Sequence, residues 1–397
     1  MMSKKWMSGW AGKMGGKCLA MAITSVLLAG SVQLPAMAAN TYEDWLTGRE
    51  DDREDVLEDG DMLELVSSNP YKVIYDLQDG TTFDTEMGAI VFQKTDGIEG
   101  VINVEGGSGT LNLHNESDDP SGYYGTAPVV VMEKQFLTIN GNINGTQSSA
   151  GYSAGGLSVN RGSIGQGEKS GLTVNGNVTF WGTSENPEKD EYSRSGEWGV
   201  QAKRTDGNFN GYYGSRWAPA GVSLNMPGGS YINLNGDVKI AVRGNGLVTD
   251  PYYANIGGVS DYDTSVINAN KGDVTIYTPK SADRGYNALA SYGGTINVNW
   301  ENGAPGSHNV VLKGNIIALK AWEMPEGSKF PDSGADQFYR SGRVNVALTT
   351  EKSSWTGLVS NDGKAGAGEV NIALQNGAQW NHLAYSKGDT IDTRNLP

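Results

Sequence analysis

Along most of this chain apolar and polar residues alternate one for one, the period of a strand with one buried face. The stretch from Gly221 to Ile240 shows the pattern: Val222-Ser223-Leu224, a corner at Gly228-Gly229, Tyr231-Ile232-Asn233-Leu234-Asn235, a corner at Gly236, then Val238-Lys239-Ile240. Its centre recurs. Ile232-Asn233-Leu234-Asn235 returns as Ile267-Asn268-Ala269-Asn270 and as Ile296-Asn297-Val298-Asn299, after steps of 35 and 29 residues. Leu137-Thr138-Ile139-Asn140-Gly141-Asn142-Ile143 returns as Leu172 to Val178, with weaker echoes at Leu234 to Val238, Asn270 to Val274 and Leu312 to Ile316. Val344-Asn345-Val346-Ala347-Leu348 returns as Val370 to Leu374, 26 residues on. The first strands are expected at Lys72 to Tyr75, Ala89 to Phe92, Val101 to Val104 and Leu111 to Leu113.

A period of this size means stacked coils. The predicted fold is all-β: a right-handed parallel β-helix (solenoid) with loop insertions, over residues 71–397. Each coil supplies short strands that stack on their equivalents at about 4.8 Å. Apolar positions then line the interior, Asn forms hydrogen-bonded ladders, and Gly and Asn tolerate the sharp corners. A sandwich, barrel or propeller also has many short strands. None of these predicts that one I-N-x-N register returns coil after coil.

The repeat is interrupted near 181–219 and near 321–341. The first interruption carries Trp198, Tyr212, Tyr213 and Trp217, the second Trp322, Phe338 and Tyr339. These seven are the candidate binding residues, because loops that leave a solenoid are usual places for recognition and aromatics suit sugar rings or protein partners. The competing reading is that they fold back and pack on the coils.

The first 38 residues have a different character. Lys4, Lys5, Lys13 and Lys17 precede an apolar run from Cys18 to Gly30, and Ala36-Met37-Ala38 supplies a cleavage site, so 1–38 is a predicted signal peptide cut after Ala38. Its apolar run is shorter than the roughly 20 residues that span a bilayer. Cleavage removes the only cysteine, Cys18, and four positive charges with no acid, taking the formal charge from −15 to −19. Such acidity argues against nucleic acid as a partner. Residues 39–70 form an acidic lead, expected to be partly helical or disordered; ten acids lie between Glu43 and Asp61 against Arg49 and Arg53. The D-x-D-x-D-G spacing of a calcium loop is absent from it.

Catalytic motifs are weak. Gly151-Tyr152-Ser153-Ala154-Gly155 matches a nucleophile elbow, but it lies between predicted β segments without the helix that exposes such a serine. Gly162 to Ser170 approximates a phosphate loop, with Glu168 where an anion would face phosphate. Pro331-Asp332-Ser333-Gly334 matches only part of a serine-protease phrase. His114, His308 and His382 are isolated and have no metal-ligand spacing. Asp237 and Asp273 occupy equivalent places after a Gly corner, where Asn142, Asn177 and Asn315 stand in other repeats, which is the mark of a corner residue. No catalytic residue, metal or cofactor is expected.

The last repeats carry a more specific signal. Ser354-Trp355-Thr356-Gly357-Leu358, followed by Gly368 to Asn381 with Leu374-Gln375-Asn376-Gly377-Ala378-Gln379-Trp380, resembles the final passenger coils of bacterial autotransporters of the pertactin and AIDA-like kind. The resemblance is in motif from about 340 to 385 and in style from about 70 onward. It implies a non-enzymatic, adhesin-like passenger, exported to the cell surface, outer membrane or medium, that presents binding loops to host or bacterial glycans or proteins. It also implies a C-terminal outer-membrane barrel, which this chain lacks; a fragment or a free-standing passenger is then expected. The alternative from another class is a secreted polysaccharide lyase or hydrolase on a β-helix.

Overall fold

The computed structural model describes residues 39–42, 57–60, 63–65, 72–85, 90–92, 99–115, 129–131, 135–147, 155–159, 169–182, 220–225, 228–242, 245–249, 264–278, 287–291, 293–318, 322–323, 338–339, 341–360 and 368–382. The expected signal, residues 1–38, lies outside them.

Nearly all strands belong to three parallel sheets of nine strands each. The chain visits the sheets in rotation. Lys72–Leu77 enters the first sheet, Thr82–Thr85 the second and Ile90–Phe92 the third; Glu99–Val104 then returns to the first, in parallel register with Lys72–Leu77. The rotation continues to Glu369–Leu374 in the first sheet and Gln379–Asn381 in the second. This is the connectivity of a parallel β-helix. A right-handed sense is the one that right-twisted strands favour for parallel crossovers.

The repeats found in the sequence are the stacking register. Ile232, Ile267 and Ile296 are direct neighbours in the first sheet, as are Leu137 and Leu172, and Val344 and Val370. Alternation then sorts the side chains: Ile232, Leu234, Ile267, Ile296 and Val298 are wholly buried, while the Asn residues between them are half-buried on the outer face. One continuous apolar column runs the length of the stack, from Leu77 and Phe83 to Trp355. Burying each Leu, Ile or Val contributes about 1.5–3 kcal/mol. In its strands Ala220–Leu224, Asn245–Thr249 and Asn287–Ser291 the third sheet is buried on both faces. Leu157, Val222, Leu247, Leu289 and Ile316 join the main core, and Val248, Ala290 and Ile317 form a separate cluster with Ala220.

The last two coils explain the W-x-G phrase. Trp355 is fully buried and stacks on Trp380, ring centroids 4.7 Å apart and planes 9° from parallel. Each indole donates to the coil before it: Trp355 Nε1 to Gly314 O at 2.8 Å, and Trp380 Nε1 to Gly357 O at 3.2 Å. A Cβ at Gly357 would lie 2.8 Å from Trp355 Nε1 and would collide with Gly314 O, so the indole needs a glycine two residues on.

Among the described residues of the acidic lead, Ala39–Tyr42 pairs antiparallel with Leu57–Gly60, and Leu63–Leu65 adds a parallel strand to the third sheet beside Ile90–Phe92; residues 43–56 lie outside the described residues. A free sheet edge is a template for such pairing. Two expectations are corrected. Trp181 is not in an insertion; it lies in Val178–Gly182 of the second sheet, beside Ala241. The echo at Leu312 to Ile316 is out of phase. Leu312 stacks on Ile276 in the second sheet and Asn315 opens a third-sheet strand, so Asn315 is not the equivalent of Asn142 and Asn177.

Candidate functional site

The outer face of the first sheet is built from two amide ladders. In the early coils Asn103 Nδ2 donates to Asp76 Oδ1 at 2.7 Å, Asn140 to Asn103 at 2.7 Å, Asn175 to Asn140 at 2.8 Å and Asn235 to Asn175 at 2.8 Å. In the later coils Asn268 donates to Asn233 at 2.9 Å, and Asn297 to Asn268, Asn345 to Asn297 and Asn371 to Asn345 at 2.8 Å each. The second ladder stands two residues closer to the strand start. The two overlap in one coil only, Ile232-Asn233-Leu234-Asn235, which carries a member of each. Both ladders have one polarity, every donor facing the preceding coil.

Carboxylates sit at the ladder ends. Asp76 can only accept when ionised, which fits it to close the first ladder. At the other end Asn371 Nδ2 also donates to Glu369 Oε1 at 2.7 Å, and Arg343 Nε donates to Glu369 Oε2 at 2.7 Å. The Asn371 bond, the largest influence, holds the Glu369 carboxyl below its ordinary value; burial pushes it up, and the hydrogen bond and charge of Arg343 lower it further.

At the corner between the first and second sheets a third column runs through side-chain oxygens that accept backbone N–H groups. Asn177 N donates to Asn142 Oδ1 at 2.9 Å, and Asp237 N to Asn177 Oδ1, Asp273 N to Asp237 Oδ1 and Asn309 N to Asp273 Oδ1 at 2.8 Å each. Asn309 Nδ2 also donates to Asp273 Oδ2 at 2.6 Å. Asp237 and Asp273 are therefore corner residues, and the true later equivalent of Asn142 is Asn309. His308 Nδ1 lies 4.0 Å from Asp273 Oδ1. Among the described residues no group of three His, Cys, Asp or Glu is placed to hold a metal ion.

Beside the first ladder lies an open groove of about 790 Å³, lined by Asp76, Asn103, Asn140, Asn175 and the turn Glu105–Gly107. Glu105 takes a left-handed φ of 37°, and its Oε2 accepts from Asp79 N at 3.1 Å. Among its described lining residues there is no Lys or Arg. Across the same face the first-sheet register stacks Phe136, Gly171 and Tyr231 in one column. The Tyr231 ring covers Gly171: a Cβ there would lie 2.6 Å from Tyr231 Cε1 and 2.7 Å from Cε2. Phe136 and Tyr231 have ring centroids 6.2 Å apart, and Lys169 Nζ stands 5.4 Å from the Tyr231 ring centre. Burial raises the Tyr231 phenol above its ordinary value; a hydrogen bond with Thr173 opposes that and Glu99 adds to it.

Of the seven residues singled out in the sequence, Trp198, Tyr212, Tyr213 and Trp217 lie outside the described residues. Trp322, Phe338 and Tyr339 are in a small antiparallel pair, Trp322–Glu323 with Phe338–Tyr339, which puts Trp322 opposite Tyr339 and Glu323 opposite Phe338. The backbone thus joins the two ends of the second insertion. The serine of the elbow motif, Ser153, and the segment 331–334 also lie outside the described residues. Phe136 and Tyr231 were not singled out, since 95 residues separate them. Only the alignment of Leu137-Thr138-Ile139-Asn140 with Leu172-Thr173-Val174-Asn175 and Ile232-Asn233-Leu234-Asn235 puts them in one column. Comparison of the chain with family models, curated proteins and solved structures finds no match.

Proposed function

We propose that this chain is an exported, surface-exposed or secreted β-helical passenger, adhesin-like and non-enzymatic, which works as a rigid rod presenting binding surfaces to glycans or proteins. The observation that carries the reading is where the polar groups of the repeat are spent. Asn residues of the outer face bond the coils to one another, and Asp237 and Asp273, the carboxylates whose repetition gave them the best claim to chemistry, accept backbone N–H groups of the next coil. Groups tied into such a lattice hold shape; they are poorly placed to move protons. The signal-like N-terminus and the autotransporter-like phrases at 354–381 support export to the surface.

The experiment is expression of the full chain with its signal, followed by two assays on the exported protein. Retention on immobilised polysaccharides and on cells should be positive. Polysaccharide digests should show neither new reducing ends nor the unsaturated sugars that a lyase leaves. Turnover abolished by Asp237→Asn or Asp273→Asn would replace this reading with the lyase or hydrolase alternative, and protein retained in the cytoplasm would sink the passenger.

A further inference from the structure

The first-sheet face joins two features that no single stretch of sequence brings together. Residues i, i+2 and i+4 of a strand point to one side, so in three successive coils Phe136, Gly171 and Tyr231 border the face on one side, Thr138 and Thr173 hold its middle, and the Asn140 and Asn175 amides open onto the groove. The span from the aromatic column to the groove column is four residues, roughly 13 Å along the strand. The groove's volume of about 790 Å³ is within the range of small-molecule sites, roughly 300–1,000 Å³.

We propose that this face, rather than the insertions alone, binds an uncharged oligosaccharide, with one sugar ring against Phe136 and Tyr231 and further hydroxyls held by Thr138, Thr173 and the groove amides. The proposal rests on the binding reading above and moves the site from the insertions to the coil itself. A sugar ring offers an apolar C–H face and a rim of hydroxyls, each a donor and an acceptor. Half-buried aromatic rings match the first and rows of amides and hydroxyls match the second. Within each ladder an Asn uses one N–H and one lone pair for its neighbours, and an amide has two of each. Ligand contacts therefore do not require the ladder to break. Charge selects among sugars. Asp76 and Glu105 line the groove and Glu99 stands next to Phe136 in the aromatic column, against the one ammonium of Lys169 5.4 Å from the Tyr231 ring centre, and the chain carries a formal charge of −15. Sulfated and uronic chains are repelled by that field. The covering of Gly171 by Tyr231 also has a structural purpose, since it shields a strand position without a side chain, so a variant must separate cover from recognition.

The test titrates the exported full chain with hexasaccharides of β-1,4-glucan, β-1,4-galactan and mannan, and with a heparin hexasaccharide as the acidic probe. At least one neutral probe should bind and heparin should not. Phe136→Ala and Tyr231→Ala should each weaken binding by about tenfold or more, as central aromatic anchors do. Tyr231→Phe, which keeps the ring over Gly171, should stay within about threefold. Because the alanine variants could lose the local fold, the unsubstituted chain is also labelled with 3-fluorotyrosine. The resonance that disappears in Tyr231→Phe should shift during the sugar titration. No neutral binding, preference for heparin, or an unmoved Tyr231 resonance under saturating sugar overturns the proposal. Binding that survives Phe136→Ala and Tyr231→Ala but is lost in Trp322→Ala overturns it too, while leaving the adhesin-like reading standing.

Discussion

Gly236 is the position at which coil stacking makes its sharpest demand. It sits in the Asn235-Gly236-Asp237 corner with no left-handed φ, so torsion alone would permit any residue there. By local preference Gly236→Ala should stabilise by about 0.4–1 kcal/mol, through the lower entropy of the unfolded chain. Stacking reverses that sign. The new Cβ would lie 2.5 Å from Gly176 C and 2.8 Å from Asn177 N, and would collide with Gly176 O of the coil beneath. Carbon atoms prefer about 3.5–4.0 Å, so the coils must part locally by about 1 Å. The bonds that clamp this corner are short: Asp237 N to Asn177 Oδ1 at 2.8 Å, Asn235 N to Val174 O at 2.9 Å and Val178 N to Asp237 O at 2.8 Å. Stretched by that amount they pass the limit of a useful hydrogen bond. Losing two or three at about 1 kcal/mol each, less the entropic gain, leaves a net destabilisation of about 1–2.5 kcal/mol. Gly303→Ala is the control, because Gly303 has φ +79° and no atom within 4 Å of its Cβ position. It should cost about 1–2 kcal/mol from torsion alone. The assay is urea unfolding followed by circular dichroism, with hydrogen exchange at amides 235–238 to localise the loss. If Gly236→Ala is as stable as the parent, or more so, the coils are not stacked at this corner as described.

Asn345 is 8% exposed and has a ladder partner on each side at 2.8 Å. Asn345→Ala should cost about 2 kcal/mol, two bonds at about 1 each, with its half-buried partners left to water. Asn345→Asp, which keeps the acceptor and loses the donor at neutral pH, should fall between parent and alanine in the same urea assay. Glu369 has its folded-state carboxyl pKa lowered by Asn371 and Arg343, so its contribution is present above its unfolded value of about 4.3 and is lost as pH falls through the lower folded value. The stability gap between the parent and Glu369→Gln should close as pH drops below about 4; a gap constant from pH 6 to pH 3 contradicts the assignment. Edman sequencing of exported protein should begin at Ala39.

Much of the fold was legible because a β-helix repeats its constraints. The I-N-x-N phrases place a buried Ile beside a ladder Asn at each return, and neighbours in the sheet are the same letters in the repeat. Phase was harder to read. Leu312-Lys313-Gly314-Asn315 resembles the first corner because both corners need glycine and a side-chain acceptor, and only the partner above or below distinguishes them: Asn315 Oδ1 accepts from Leu358 N, at the second corner. The ladder switch at Asn233 and Asn235 is likewise invisible without the register, since both residues look alike in sequence. In the acidic lead Leu63–Leu65 pairs with Ile90–Phe92, a strand in the next coil that local periodicity does not point to. The aromatic column of Phe136 and Tyr231 shows the limit most plainly. Aromatics clustered in the insertions drew notice because they are close in sequence, whereas these two meet only across coils.

The register itself is open to the most direct test. Cys18 is the only cysteine in the sequence, so Cys18→Ser gives a thiol-free background. Asn268 and Asn297 are direct neighbours on adjacent parallel strands, and Thr295 is opposite Val266, two residues out of step with Asn268. Adjacent parallel positions lie about 4.8 Å apart, inside the span a disulfide can bridge, whereas the diagonal is roughly 7–8 Å and outside it. Asn268→Cys with Asn297→Cys should form an intramolecular disulfide under mild oxidation, detected by mass spectrometry, and Asn268→Cys with Thr295→Cys should not. Efficient bridging of the second pair, or of neither, would contradict the coil stack on which the rest depends.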